Sequence, residues 1–256
     1  MARFAYHLFP YLSDNYDVLI HDPDSGATTA IDAGDGETVL AALADKGWKL
    51  TELWVTHHHA DHTDGVAMVK EKTGCTVTGP KGKSSAIAGI DREVGEGDAF
   101  EFAGAEVQVL ETAGHTLDMI NFYLPSEGVV FTGDTLFTLG CGRVFEGDFA
   151  MMWDSLSKLM KLPADTVIYS SHEYTLANAK FALSVDPDNA ALKARSEKFE
   201  AMRADGKPTV PTTMAEELET NPFLRPADPG IRAHLGMEGD SDAAVFAEIR
   251  KRKDNF

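Results

Sequence analysis

An α/β domain followed by a helical region is the fold the sequence predicts, and three observations predict it. Up to about residue 170, short β-rich runs alternate with amphipathic ones and glycine turns. Beyond that point the pattern is helical throughout. At 256 residues the chain is long enough to bury a sizeable core in one large domain, or one domain with an appendage, without disulfide staples. In order, YDVLIHD and TTAIDAG read as strands, ETVLAALADKGW as an amphipathic helix and ELWV as a strand. VAMVKEKTG has helical spacing. CTVTG, AFEFAG, AEVQVLETAG, MINFYLP and GVVFTGD read as strands separated by glycine or Pro-Ser-Glu-Gly turns, FAMMWDSLSKLMKLP as a helix and TVIYSSHE as the last strand. LANAKFALS, AALKARSEKFEAMRA, MAEELE and DAAVFAEIRKRK then read as helices. The Thr213-x-x-Glu216 spacing fits a capping box that opens one of them, and DGKPTVP and NPFLRPADPG read as connections.

Composition narrows the partners. Lys and Arg number 23 against 41 Asp and Glu, a formal net charge of −18, which argues against nucleic acid or an anionic membrane surface. Two cysteines, Cys75 and Cys141, imply no disulfide framework and favour a reduced compartment. No stretch approaches the roughly 18 apolar residues of a membrane span, and the first 20 residues lack a long apolar run or a small-residue cleavage site. A cytoplasmic protein is expected.

The stretch WVTHHHADHTDG, residues 54–65, concentrates four of the nine histidines within six positions, with an aspartate among them. The strand ending in ELWV delivers Thr56 and His57-His58-His59 into a loop, with the next helix expected near Asp64. While the chain stays extended successive side chains alternate, so His57 and His59 point one way and His58 the other. Asp61 and His62 follow where the chain turns, so a second ion is accessible to them. A solvated loop is the ordinary reading of one histidine and the preferred one for His58; the full pattern favours a metal site. It lacks the two histidines four apart around a glutamate that a helical zinc-protease motif needs. Further donors should lie at other strand ends, and His115 in LETAGHTLD, Asp134 in FTGDTLF and His172 in IYSSHEY are the candidates. Asp32 in AIDAGDG reads equally as a turn residue or as a support behind a ligating imidazole.

Together THHHADH, AGHT, FTGDTLF and SSHEYT resemble the metal signature of the metallo-β-lactamase superfamily. GCGRVFEG, SHEYTLANAKFA, TVPTTMAEELETNPFLR and IRKRKDNF narrow the resemblance to hydroxyacylglutathione hydrolases, or glyoxalases II, from the DNY at 14–16 to the last residues. The resemblance implies an αββα sandwich over 1–172 and a smaller all-helical, glutathione-binding domain over 173–256. It implies two metal ions per chain, one held by His57, His59 and His115, the other by Asp61, His62 and His172, with Asp134 bridging. Zinc is the first expectation, and iron or manganese suits the same mixed imidazole and carboxylate set. The implied reaction is hydrolysis of S-D-lactoylglutathione, as in methylglyoxal detoxification, by a metal-bridging hydroxide that Asp61 orients.

Glutathione is anionic, so its pocket needs local positive charge. Arg250, Lys251, Arg252 and Lys253 are consecutive, and Arg250 and Lys253 share a helix face. By resemblance those two hold the glycine carboxylate, with Arg143, Tyr174 and Asn178 near the glutathione backbone; for Lys251 and Arg252 a favourable helix-dipole contact is the simpler reading. Phe145 stands where members often carry a tyrosine, and it cannot donate that hydrogen bond. Arg143, with its wider fork of donors, can offset the loss. A monomer is expected. The rival readings are another superfamily hydrolase, a mononuclear-iron persulfide dioxygenase, a secreted β-lactamase, and a non-catalytic metal-stabilised binding protein. NPFLR and IRKRKD argue against the dioxygenase, the missing signal peptide and the Asp61 and Asp134 pair against the lactamase. Closed four-ligand structural sites differ from seven ligands shared by two ions.

Overall fold

In a computed structural model describing residues 3–82 and 86–256, the chain opens with a hairpin of β1 (Ala5–Tyr11) and β2 (Asn15–His21), in which Tyr11 lies opposite Asn15. Contacts divide the chain into two compact units: Met1–Glu111 with Asp118–Gly133, and Thr112–Leu117 with Asp134–Phe256.

In the first unit, β3 (Thr28–Ile31) pairs antiparallel with β2, and the sheet then turns parallel. Parallel neighbours need a crossover long enough to return to the same end. Helix α1 (Gly36–Lys46) supplies one before β4 (Glu52–Trp54), and α2 (Ala60–Thr63) with α3 (Val66–Thr73) another before β5 (Thr76–Pro80). β6 (Arg92–Val94) completes the order β1-β2-β3-β4-β5-β6. Helix α1 starts where Asp35 accepts from the amides of Glu37 and Thr38, and ends at Gly47 in the left-handed conformation. Its Val39 and Leu43, with Val66 and Val69 of α3, bury against Leu19, Leu53, Val55 and Val77 of the sheet.

The other sheet contributes an antiparallel run in this unit: β7 (Ala99–Phe102), β8 (Ala105–Glu111), β9 (Ile120–Leu124) and β10 (Val129–Gly133), each paired with the next. The sheets meet at Trp54, which is fully buried and takes Phe100 and Phe102 edge-on at 5.2 and 5.3 Å and Phe122 at 5.4 Å. Two sheets face to face with helices laid on the first give the α/β sandwich that the sequence predicts, and the C-terminal region is mainly helical.

The second unit begins its regular structure with a short ribbon, β11 (Leu136–Phe137) and β12 (Gly140–Cys141), followed by α4 (Phe149–Leu159) and β13 (Val167–Ser170). Helices α5 (Thr175–Val185) and α6 (Ala190–Ala204) bury Ala179, Ala182, Leu192 and Phe199 together with Leu139. Then come β14 (Thr212–Thr213), which pairs with β13, α7 (Met214–Thr220), a 3-10 turn (Pro222–Leu224), α8 (Pro229–Leu235) and α9 (Asp242–Asp254). The Thr213–Glu216 capping box forms with both reciprocal hydrogen bonds.

Two local expectations are corrected. NPFLRPADPG is not an open connection: it holds the 3-10 turn and the start of α8, where Asp228 caps and Pro229 takes the first helical position. Helix formation also begins earlier than Asp64, because α2 makes a single turn from Ala60. No helix among the described residues is long and apolar enough to cross a membrane.

Candidate metal centre

Chain continuing from β4 is pegged to the end of β3 by Asp32, a non-glycine residue in the left-handed conformation (φ 64°). Asp32 Oδ1 accepts from the Thr56 amide at 2.7 Å and Oδ2 from the Thr56 hydroxyl at 2.9 Å. The same Oδ2 lies 2.8 Å from His62 Nδ1, and Thr56 Oγ1 lies 3.0 Å from His57 Nδ1. Since the Thr56 proton goes to Asp32, the consistent assignment puts protons on Nδ1 of both His57 and His62. Each ring then presents Nε2 as its basic nitrogen, the form a metal binds. Asp32 is thus a support behind an imidazole and not only a turn residue.

The alternation expected for the three histidines is present. The His57 and His59 rings stand edge to face with centroids 4.7 Å apart, and ligand atoms of this pair lie within 4.8 Å of one another. His58 turns to Asp118, with Nδ1 2.8 Å from Oδ1. On α2, Asp61 Oδ2 lies 3.5 Å from His62 Nε2, and the His62 ring lies 4.2 Å from that of His57. The backbone of α2 approaches Gly34 so closely that a Cβ there would sit 1.9 Å from the Asp61 carbonyl oxygen, which excludes any other residue at Gly34.

The second unit carries its own cluster. Gly114, with φ 145° and Met152 against it, makes the tight turn into His115. His115 Nδ1 lies 2.7 Å from the Arg143 carbonyl, which fixes its proton there and leaves Nε2 basic. That Nε2 lies 3.2 Å from Asp134 Oδ2, while His172 Nε2 lies 3.2 Å from Asp134 Oδ1. Each oxygen of one buried carboxylate therefore faces a different imidazole. A basic nitrogen and a carboxylate oxygen at that distance attract only when a shared cation or a proton neutralises them, so the donor set fits divalent metal. His172 also stacks on Tyr174 at 4.6 Å and 4°, with Phe137 edge-on to both rings.

Between Asp134 and Arg143 the chain forms the β11–β12 hairpin, whose backbone is held by buried side chains. Asn178 donates to the Thr138 carbonyl at 3.1 Å, Asn221 to those of Phe137 and Gly140 at 3.3 and 3.0 Å, and Arg250 to that of Cys141 at 2.9 Å. Glu217 accepts from the Leu139 amide at 2.8 Å and from Arg195 at 2.7 Å. Arg250 is 4 % exposed, lies over the Phe223 ring and donates to Asp254. Lys253 reaches the Ala177 carbonyl at 3.3 Å, and its pKa is lowered by burial and by the charge of Arg250. The Arg143 side chain remains 61 % exposed beside the exposed Phe145 ring. Of the five expected substrate contacts, Asn178 and Arg250 each donate to a hairpin carbonyl, whereas Arg143 and Tyr174 stand at the surface.

Sequence reasoning missed Thr56, Asp118, Glu217 and Asn221. The last two lay inside the quoted MAEELETNPFLR, but helical spacing and an Asn-Pro turn explain them without any role at a hairpin.

Comparison with known proteins identifies the family. Residues 16–172 match the family model described as the metallo-beta-lactamase superfamily, and residues 173–256 match that of the hydroxyacylglutathione hydrolase C-terminus. A hydroxyacylglutathione hydrolase of Rhizobium meliloti (strain 1021) is 57% identical over 100% of both chains. One from Maricaulis maris (strain MCS10) is 51% identical, again over 100% of both. Among solved structures, ETHE1 from Myxococcus xanthus superposes with a TM-score of 0.69 at 28% identity, covering 96% of this chain and 90% of that one.

Proposed function

The chain belongs to the hydroxyacylglutathione hydrolases of the metallo-β-lactamase superfamily, and from that membership we propose that it cleaves S-D-lactoylglutathione with two divalent cations, zinc first among them. Hydroxyacylglutathione hydrolysis itself is the activity of this enzyme. In the proposed centre His57, His59 and His115 would hold one ion and Asp61, His62 and His172 the other, with Asp134 available to both. The observation that supports two ions most directly is Asp134, whose two oxygens each face a separate imidazole at 3.2 Å.

When bound, such cations lower the pKa of a shared water and polarise the thioester carbonyl. The chain's own part follows from its hydrogen bonds. Asp32 and Thr56 keep His62 and His57 in the tautomer with Nε2 basic, and the Arg143 carbonyl does the same for His115. Asp61 orients the attacking water and accepts its proton. The water oxygen bonds to the carbonyl carbon, the carbon–sulfur bond breaks, and the thiolate leaves to take up a proton as glutathione beside the 2-hydroxy acid. Arg143, Tyr174 and Lys253 would meet the tripeptide. Asn178 and Arg250, already donating to the hairpin, would serve it by fixing that hairpin's carbonyls.

A monomer in the cytoplasm completes the proposal, in keeping with two buried unpaired cysteines. A steady-state assay with S-D-lactoylglutathione, run beside metal analysis of the same preparation, tests it. Turnover with two metals per chain is expected, and Asp61→Asn should abolish turnover. One iron per chain with oxygen uptake on glutathione persulfide, or unchanged turnover in Asp61→Asn, would overturn the mechanism.

A further inference from the structure

The DNY at 14–16 lies where the β1–β2 hairpin turns into β2. Asn15 opens β2, is 3 % exposed, and donates from Nδ2 to Asp61 Oδ2 at 2.9 Å. Opposite it in the hairpin, Tyr11 donates its hydroxyl to the Asp61 carbonyl at 2.7 Å, and the Asn15 amide lies 3.4 Å from that hydroxyl. Asp61 is therefore gripped twice from one hairpin end, once at its side chain and once at its peptide.

The gripped oxygen is the one beside His62. Asp61 Oδ2 and His62 Nε2 stand 3.5 Å apart. Two ligands about 2.1 Å from one tetrahedral ion are separated by about 3.4 Å, so this pair already has the spacing of ligands that share a metal. We infer that Asn15 is a positioning residue that holds the Asp61 carboxylate in its metal-binding orientation ahead of the ion, with Tyr11 fixing the peptide beneath it. The inference rests on the proposed two-metal centre and extends it to a residue that touches neither metal nor substrate. Supporting residues of this kind are typically worth 10–100-fold in metal affinity or activity.

The bland alternative is that Asn15 only closes the β1–β2 turn, and it predicts a different pattern. Under it, Asn15→Ala lowers the melting temperature but not metal affinity, and the isosteric Asn15→Asp is the milder change. Under a positioning role Asn15→Asp is the harsher change, because it sets a carboxylate against a carboxylate. The test is equilibrium dialysis of the full chain against buffered zinc, with melting temperature measured by circular dichroism and kcat and KM measured separately. For Asn15→Ala we expect a melting temperature close to wild type, one tight zinc, a second weakened about 10–100-fold, and a fall in kcat with KM little changed. Tyr11→Phe, which keeps the ring, should weaken the same zinc by a smaller factor. A second zinc as tight as wild type in both Asn15→Ala and Tyr11→Phe overturns the inference alone. A wild-type chain that binds fewer than two zinc ions overturns the two-metal reading and this inference with it.

Discussion

Replacing Asp32 by asparagine isolates the step by which one buried carboxylate sets the tautomer of His62. Asp32 Oδ2 accepts from both the Thr56 hydroxyl, at 2.9 Å, and His62 Nδ1, at 2.8 Å, while Oδ1 accepts from the Thr56 amide at 2.7 Å. Asparagine preserves the shape and is among the residues that best tolerate a left-handed backbone such as the φ of 64° found here. With its oxygen toward the Thr56 amide, its NH2 replaces Oδ2 and meets two groups that were donors. His62 must then move its proton to Nε2, the nitrogen facing Asp61, and a protonated nitrogen cannot bind metal. The flipped amide is no escape, because it would set two N–H donors 2.7 Å apart at Thr56. Loss of such a partner costs 10–100-fold in metal affinity, or about 1.4–2.7 kcal/mol at 1.36 kcal/mol per tenfold. Asp32 is 1 % and His62 0 % exposed, so water cannot substitute and the upper end is expected. Zinc titration, kcat/KM and a thermal melt on the same Asp32→Asn preparation measure it. Wild-type zinc affinity and turnover in a folded variant would refute the reasoning.

Three further outcomes are expected. Trp54→Ala removes the side chain on which Phe100, Phe102 and Phe122 converge, and should cost about 3–5 kcal/mol in urea denaturation; a loss below 1 kcal/mol would show that the sheets close over the gap. Phe145→Tyr adds a hydroxyl to a ring that is 61% exposed, and should lower KM for S-D-lactoylglutathione a few-fold without changing kcat, since one net hydrogen bond is worth about 0.5–1.5 kcal/mol. Cys141, its thiol pushed up to about 11 by burial, and Cys75, raised for the same reason, should both resist a thiol reagent at pH 8 in the native protein and react in denaturant. Rapid modification of either in the folded chain would contradict their burial.

The parts of the site legible in the sequence are those in which local geometry alone decides direction. His57 and His59 share a side because an extended chain alternates, and His58 leaves for Asp118 for the same reason. His115, Asp134 and His172 could be suspected because each follows a strand-like run with a turn residue or small polar residue before it. Illegible parts depend on pairing across long separations. No local pattern says that Asn15 reaches Asp61, 46 residues away, or that Leu139 donates to Glu217, 78 residues away. Strand β1 is not legible because Ala5–Leu8 show no alternation and Pro10 reads as a breaker, although an edge strand tolerates it at an exposed position. Charge and the family resemblance together assign Arg250 to an anion; that its buried guanidinium also donates to the Cys141 carbonyl is something charge patterns cannot reveal.

The β11–β12 hairpin also imposes an order on folding. The carbonyls of Phe137 and Gly140 wait for Asn221, 84 and 81 residues downstream, and that of Cys141 waits for Arg250, 109 residues downstream. At a synthesis rate of roughly 5–20 residues per second, 109 residues take about 5–20 s. For that interval on the ribosome the segment following Asp134 has its carbonyls solvated by water instead of by the side chains that later bury them. The first unit's histidine-rich strand end, by contrast, finds its Asp32 and Asn15 partners among residues already made. The hairpin that follows Asp134 thus gains its last backbone partner only when the chain is complete through Arg250.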